Sequence, residues 1–175
     1  INNGLLLGAP APIAGRLGCR FMREGDQSLL IVTPAGKRIT LTVGQDTLTV
    51  DGKAVRMPQK TIIAGGEIVA PLRPVLGAIG AEVSWNAEAQ TLSVDTRIES
   101  LDVYADEMGA RVQIATPLRS AASLHRMEDP ERAYVDIPGA SVRLEHERTL
   151  VSLGDVQRVR WGLFASDPPV ARVVI

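Results

Sequence analysis

Apolar and polar residues alternate along most of this chain. Four early runs, Ser28-Leu-Leu-Ile-Val-Thr33, Arg38-Ile-Thr-Leu-Thr-Val43, Thr47-Leu-Thr-Val-Asp51 and Thr91-Leu-Ser-Val-Asp95, place apolar side chains on one face at period two and predict strands. Pro34-Ala-Gly36, Gly44-Gln-Asp46 and Asp51-Gly52 separate them with turn chemistry. Asp-Gly is the strongest hairpin signal because both residues tolerate positive φ, so Asp51-Gly52 is expected to join two antiparallel strands. The rhythm breaks at residues 71–80. There Leu72, Val75, Leu76 and Ile79 recur at i, i+3, i+4 and i+7 and predict one short helix. Pro71 and Pro74 sit near its start, and Gly80 is placed to close it in a left-handed cap.

From about Ile98 a second strand series follows: Ser100-Leu-Asp-Val-Tyr-Ala105, Ala110-Arg-Val-Gln-Ile-Ala115, Arg132-Ala-Tyr-Val-Asp-Ile137, Val156-Gln-Arg-Val-Arg-Trp161 and Ala171-Arg-Val-Val-Ile175. Glu107-Met-Gly109 links the first two as a hairpin, and Pro138-Gly139 and Asp167-Pro-Pro169 mark turns. Residues 120–127 read either as a strand or as a short loop element. The last strand is still in mid-pattern at Ile175, so further chain is expected beyond it.

Residues 1–97 also contain an internal repeat. Asn3-Gly4 matches Asp51-Gly52, Ile13-Ala-Gly15 matches Ile63-Ala-Gly65, Gly18-Cys-Arg-Phe21 matches Gly80-Ala-Glu-Val83, and Gln27-Ser-Leu-Leu-Ile31 matches Gln90-Thr-Leu-Ser-Val94. The offset changes from 50 at Ile13 to 62 at Gly18, which implies that the first copy lacks the residues equivalent to 67–78, helix included. Either the helix was deleted, or a loop between Arg16 and Leu17 is omitted. Omission is favoured, because losing the helix would bare the apolar face of the first-copy strands.

Composition narrows the function classes. With 175 residues and 45% hydrophobic content, the chain can bury one large core or two small ones. At 3% aromatic content that core is built from Val, Ile, Leu and Ala. Nineteen Lys and Arg against twenty Asp and Glu leave no basic field for nucleic acid or an anionic membrane. No run approaches the ~20 apolar residues of a transmembrane segment. One cysteine and two histidines are poor material for a disulfide or a zinc site, so neither a metal nor another cofactor is expected.

Candidate chemistry is correspondingly thin. No phosphate loop, His-Glu-x-x-His, paired cysteines or G-x-S-x-G motif is present, and no catalytic residue is expected. His125 and His146 sit among charged neighbours and read as solvated histidines, and Cys19 reads as a buried structural thiol. Glu128, Asp129, Glu131 and Asp136 cluster but read as a solvated face. Arginine stands out at 16 residues against 3 lysines, a bias that its bidentate anion chemistry and genomic base composition explain equally well. The sharpest grouping is Arg158, Arg160 and Trp161, with Phe164 nearby. It is read either as a small glycan- or peptide-binding face with Trp161 as a stacking platform, or as Trp161 capping a sparse core.

Two segments resemble known families. Gly66-Glu-Ile-Val-Ala-Pro-Leu-Arg73, then Leu76-Gly-Ala-Ile-Gly-Ala-Glu-Val-Ser-Trp85 and Gln90-Thr-Leu-Ser-Val94, are similar to the copper amine oxidase-like N-terminal domain. The match departs from that family's pattern at Ala70, where Val is usual. The resemblance implies a non-catalytic appendage of bacterial surface proteins. Residues 98–175 resemble the amidase N-terminal domain, AMIN, through Leu101-Asp-Val103, Arg111-Val-Gln-Ile114, Asp129-Pro-Glu-Arg-Ala-Tyr-Val-Asp-Ile-Pro-Gly139 and Val156-Gln-Arg-Val-Arg-Trp-Gly162. That family precedes zinc-dependent N-acetylmuramoyl-L-alanine amidases and occurs in pilus secretins, where it holds the protein at peptidoglycan.

Together the two resemblances imply an α+β, β-rich chain. Residues 1–97 would form antiparallel strands around a short helix, and residues 98–175 a small two-sheet, sandwich-like domain. The expectation is a peptidoglycan-binding targeting region of a bacterial cell-envelope amidase, with the catalytic domain after Ile175. Arg132 would pair with Asp136 or a turn carbonyl, and Arg158, Arg160 and Trp161 would contact ligand. The alternative is a secretin or pilus interaction module that recruits envelope proteins at a free strand edge.

Overall fold

The computed structural model describes residues 5–107, 109–142, 144, 148–166 and 168–175. Strands dominate, in several mostly antiparallel sheets with two short helices. The chain divides into two compact units: residues 1–93 with Pro117–Arg119, and residues 94–116 with 120–175.

In the first unit, β1 (Leu7–Gly8) leads into α1 (Pro10–Arg16) and then β2 (Arg20–Glu24) and β3 (Ser28–Val32). Next come β4 (Arg38–Thr42), β5 (Thr47–Val50), β6 (Lys53–Arg56) and β7 (Ile62–Ala64). The pattern then recurs as β8 (Glu67–Pro71), α2 (Leu72–Ala78), β9 (Glu82–Asn86) and the start of β10 (Thr91–Ile98). A five-stranded sheet runs β2-β3-β4-β5-β6, with Leu29, Ile31, Ile39, Leu41 and Leu48 fully buried. The hairpin expected at Asp51-Gly52 joins β5 and β6, both turn residues at positive φ (49° and 81°).

The structure corrects the reading of the first copy. Its helix is present as α1, and the chain passes through Arg16 and Leu17 directly into the cap and β2. A single offset of 62 residues relates the two copies from strand to strand: Pro12 and Pro74, Gly15 and Gly77, Gly18 and Gly80 correspond. The match of Ile13-Ala-Gly15 to Ile63-Ala-Gly65 was false, since the former lies in α1 and the latter in β7 and its turn. Asn3-Gly4 lies outside the described residues. The helix escaped detection because two prolines and a glycine occupy a seven-residue segment whose buried face is small, namely Pro10, Ala11 and Ala14. Prolines near the start are tolerated there because the first-turn N–H groups have no partner in the helix.

Both helices end in the same motif. After α1, Cys19 N–H donates to Ala14 O and Gly18 N–H to Gly15 O; after α2, Ala81 N–H donates to Leu76 O and Gly80 N–H to Gly77 O. These 6→1 and 5→2 bonds form a Schellman cap, which needs a left-handed residue at Gly18 (φ 84°) and at Gly80 (φ 94°). The cap also turns the following residue inward, which is why Cys19 and Ala81 are both buried. Burial pushes the Cys19 thiol above its ordinary value. β1 pairs antiparallel with β8, Gly8 facing its own equivalent Ala70, and α1 packs on α2, so the copies meet about a local pseudo-twofold.

The second unit holds the hairpin β11 (Ser100–Asp106) and β12 (Gly109–Ala115), and the strands β13 (Ser123–Glu128), β14 (Glu131–Pro138), β15 (Ala140–Val142), β16 (Arg148–Leu153), β17 (Val156–Ser166) and β18 (Pro169–Val174). The five-stranded sheet is ordered β13-β14-β18-β17-β16. Residues 123–128 are thus a strand, and Asp129-Pro130 is the turn that follows it. Leu101, Val103, Val112 and Ile114 of the β11–β12 hairpin pack against Ile137, Val159, Trp161, Ala171 and Val173 of the five-stranded sheet, which makes the two-sheet core. One pairing is parallel: Thr96–Ile98 of β10 run beside β15. Asp167 of the turn between β17 and β18 lies outside the described residues.

Gly80 is the most constrained position of the first unit. A Cβ there would lie 2.6 Å from Pro117 Cβ, at a φ that L-residues rarely adopt. Gly65 shares a positive φ but has nothing within 4 Å. Gly80→Ala is therefore expected to cost the left-handed strain plus a steric shift, about 3 kcal/mol, and Gly65→Ala only the strain, about 1 kcal/mol. Urea unfolding of the two variants measures the difference.

Candidate functional site on the outer sheet face of the second unit

Strand alternation decides which side chains of β17 share a surface. Arg158 and Arg160 are exposed, whereas Val159 and Trp161 point into the core. Trp161 retains 8% exposure, and its packing partners are those of the two-sheet interior. Positions i and i+2 share a side and position i+3 does not, so Trp161 packs in the core, while it also contributes to the lining of the pocket that Arg160 borders.

The outer face is organised by a different residue. Register places Arg172 of β18 opposite Asp136 of β14 on one side and Gly162 of β17 on the other. Its Nε donates to Asp136 Oδ1 at 2.6 Å and its Nη2 to Asp136 Oδ2 at 2.8 Å, a bidentate fork. Both side chains are largely buried, at 24% and 17% exposure. The hydrogen bonds from Arg172, and secondarily its charge, hold the Asp136 carboxyl below the ordinary aspartate value. Asp136 thus faces outward as expected but is ion-paired. Arg132 is not its partner, because four residues along one strand span ~13 Å, beyond side-chain reach of a close pair. Arg132 Nε is buried without a hydrogen-bond partner.

The Arg172 guanidinium contacts two rings. Its Cζ is 4.2 Å from the Tyr134 centroid and 3.4 Å from that of Phe164. The Tyr134 ring stacks in turn on His125, centroids 4.7 Å apart and planes 14° from parallel. His125 Nε2 also meets Ser123 Oγ at 3.1 Å. His125, Tyr134, Arg172 and Phe164 therefore form a ladder of planar groups across β13, β14, β18 and β17. His146 lies outside the described residues.

Phe164 owes its position to a β-bulge. The β17–β18 register shifts between Leu163 and Ala165, so Phe164 is the extra residue and swings over Arg172. It remains 60% exposed, beside an equally open Leu163 at 53%. Next to it a shallow pocket of about 290 Å³ is lined by Arg160, Gly162, Leu163, Phe164, Arg172 and Val174, with Trp161 contributing. Of the two arginines in the lining, Arg172 is engaged by Asp136, and Arg160 has no ion-pair partner among the described residues. A smaller cavity of about 160 Å³ in the first unit includes Arg23, whose Nη1 is already spent on the Gly66 carbonyl.

Of the sequence candidates, Arg160 and Trp161 both border the pocket, Trp161 from the core side, and Arg158 is exposed on the same strand face as Arg160. Arg172, Tyr134, Asp136 and His125 were not singled out as ligand-facing residues. Their signal is cross-strand register, which a single chain read linearly does not carry.

Two family models match the chain: the copper amine oxidase N-terminal domain over residues 1–94, and the AMIN domain over residues 100–175. No curated protein and no solved structure matches it. The copper of the first description finds no donor set among the described residues. Among the described residues no three His, Cys, Asp or Glu side chains converge on a point that would hold an ion.

The Asp136 carboxylate supplies a pH signature. A carboxyl lowered in the folded state stabilises above the unfolded value near 3.9, and that contribution drains away as pH falls through the lower, folded value. Asp136→Asn is expected to cost about 2 kcal/mol at pH 7. The gap between wild type and variant should close as pH drops below about 4. Chemical denaturation across pH 2–7 checks both.

Proposed function

For a chain that belongs to the copper amine oxidase N-terminal domain family through residues 1–94 and carries an AMIN domain after it, both envelope- and cell-wall-associated modules, we propose a role in holding a cell-envelope enzyme at peptidoglycan. The parent is an N-acetylmuramoyl-L-alanine amidase, and this region is its non-catalytic targeting part. The observation that carries the proposal is the outer face of the second unit. A stack of planar groups, an arginine with no ion-pair partner among the described residues and an open pocket lie together on one sheet surface. Among the described residues no helix is long and apolar enough to cross a membrane.

A second reading, recruitment of an envelope protein in a secretin or pilus assembly, is favoured by one feature of the first unit. The edge strand β2 is exposed at all five positions, with Phe21 and Met22 half bare. An unpaired edge of this kind accepts an added strand.

Co-sedimentation with purified sacculi separates the two readings. The peptidoglycan reading predicts that the chain pellets with sacculi and that Arg160→Ala combined with Phe164→Ala lowers the bound fraction at least fivefold. No pelleting while a known peptidoglycan binder pellets, or pelleting unchanged in the double variant, contradicts it.

A further inference from the structure

The pocket beside Gly162 has a chemistry that narrows its ligand. Its polar lining consists of donors: Arg160, and whatever N–H of Arg172 is left by the fork to Asp136. Among the described residues no carboxylate, carboxamide or hydroxyl side chain lines it. A sugar presents several hydroxyl donors, and the described side chains of this pocket offer them no acceptor. A carboxylate has the opposite requirement, since it accepts only. The rest of the lining, Leu163, Phe164 and Val174, is apolar, and a volume of about 290 Å³ admits a group of a few heavy atoms beside the anion. Gly162 provides the space, since a Cβ there would meet nothing within 4 Å.

We propose that this pocket binds the carboxylate end of a short peptide closed by a small apolar residue, with Arg160 on the carboxylate and the terminal methyl group against Phe164 and Val174. The inference rests on the peptidoglycan reading and names the part of the polymer that is read: the alanine-terminated peptide stem, with the glycan strand outside the pocket. Arg172 is the positioning residue. Asp136 neutralises it and the rings of Tyr134 and Phe164 hold it flat, so it contributes a wall and leaves the charge complementarity to Arg160. A single exposed cation gives weak affinity per site, and attachment to a wall then comes from the repetition of stems along the polymer.

The test is an amide NMR titration of the full chain with three probes: N-acetyl-D-alanyl-D-alanine, the same dipeptide as its C-terminal amide, and chitotriose. The acid is expected to shift the Gly162 and Phe164 resonances saturably, the amide to bind at least tenfold more weakly, and chitotriose to leave these resonances in place. Gly162→Val places its Cβ where nothing lies within 4 Å and its methyl groups in the pocket, so it should keep the melting temperature and abolish the shifts. Arg160→Gln, at an exposed position, is the second variant and should weaken the acid to the level of the amide. Equal binding of acid and amide, displacement of the acid by inorganic phosphate at the same concentration, or a chitotriose shift at Gly162 overturns the proposal. Sacculi binding that persists without any dipeptide shift overturns this inference alone. Loss of both overturns the peptidoglycan reading beneath it.

Discussion

One arginine sets the outer surface of the second unit. Arg172 stands on β18, the middle strand of five, and is tied to Asp136 by a bidentate fork while the rings of Tyr134 and Phe164 lie against its guanidinium. A guanidinium forked to one carboxylate has little rotational freedom left, so the rings that stack on it are held as well. The same pair lets a charged group sit largely buried on the sheet without an unpaired charge. The pocket is built around this clamp: the bulged Phe164 has a surface to rest on, Gly162 stays uncovered, and Arg160 has no ion-pair partner among the described residues.

The first unit reaches its form by duplication. Two strand–helix–strand copies, 62 residues apart, use the same glycine-dependent Schellman cap and meet through antiparallel β1 and β8. The symmetry is not complete. The second copy buries Leu72, Val75 and Leu76 where the first buries Pro10, Ala11 and Ala14. Proline at position 10 also cannot repeat the bond that Leu72 N–H donates to Leu6 O.

What was legible in the chain followed from periodicity and turn chemistry. Strand alternation predicted the β-rich class, Asp51-Gly52 its hairpin, and the apolar spacing of 72–79 the helix α2 with its Gly80 cap. The first helix was missed because alanines and prolines carry no apolar periodicity, although the glycines at 15 and 18 repeat those at 77 and 80. At the candidate site, Arg160 was found because its charge stands out locally. Arg172 and Asp136 lie 36 residues apart and are joined by register alone. Grouping Trp161 with Arg158 and Arg160 overlooked the alternation of the strand that carries them.

The most direct test of the clamp is the side-chain NMR signal of Arg172 at neutral pH. A guanidinium forked to Asp136 and in contact with two rings should give an Hε resonance that exchanges slowly with water and is displaced by ring currents, and Asp136→Asn should erase both properties. An Arg172 Hε that exchanges as fast as that of the exposed Arg158, at an unperturbed position, would contradict the clamp and the pocket built on it.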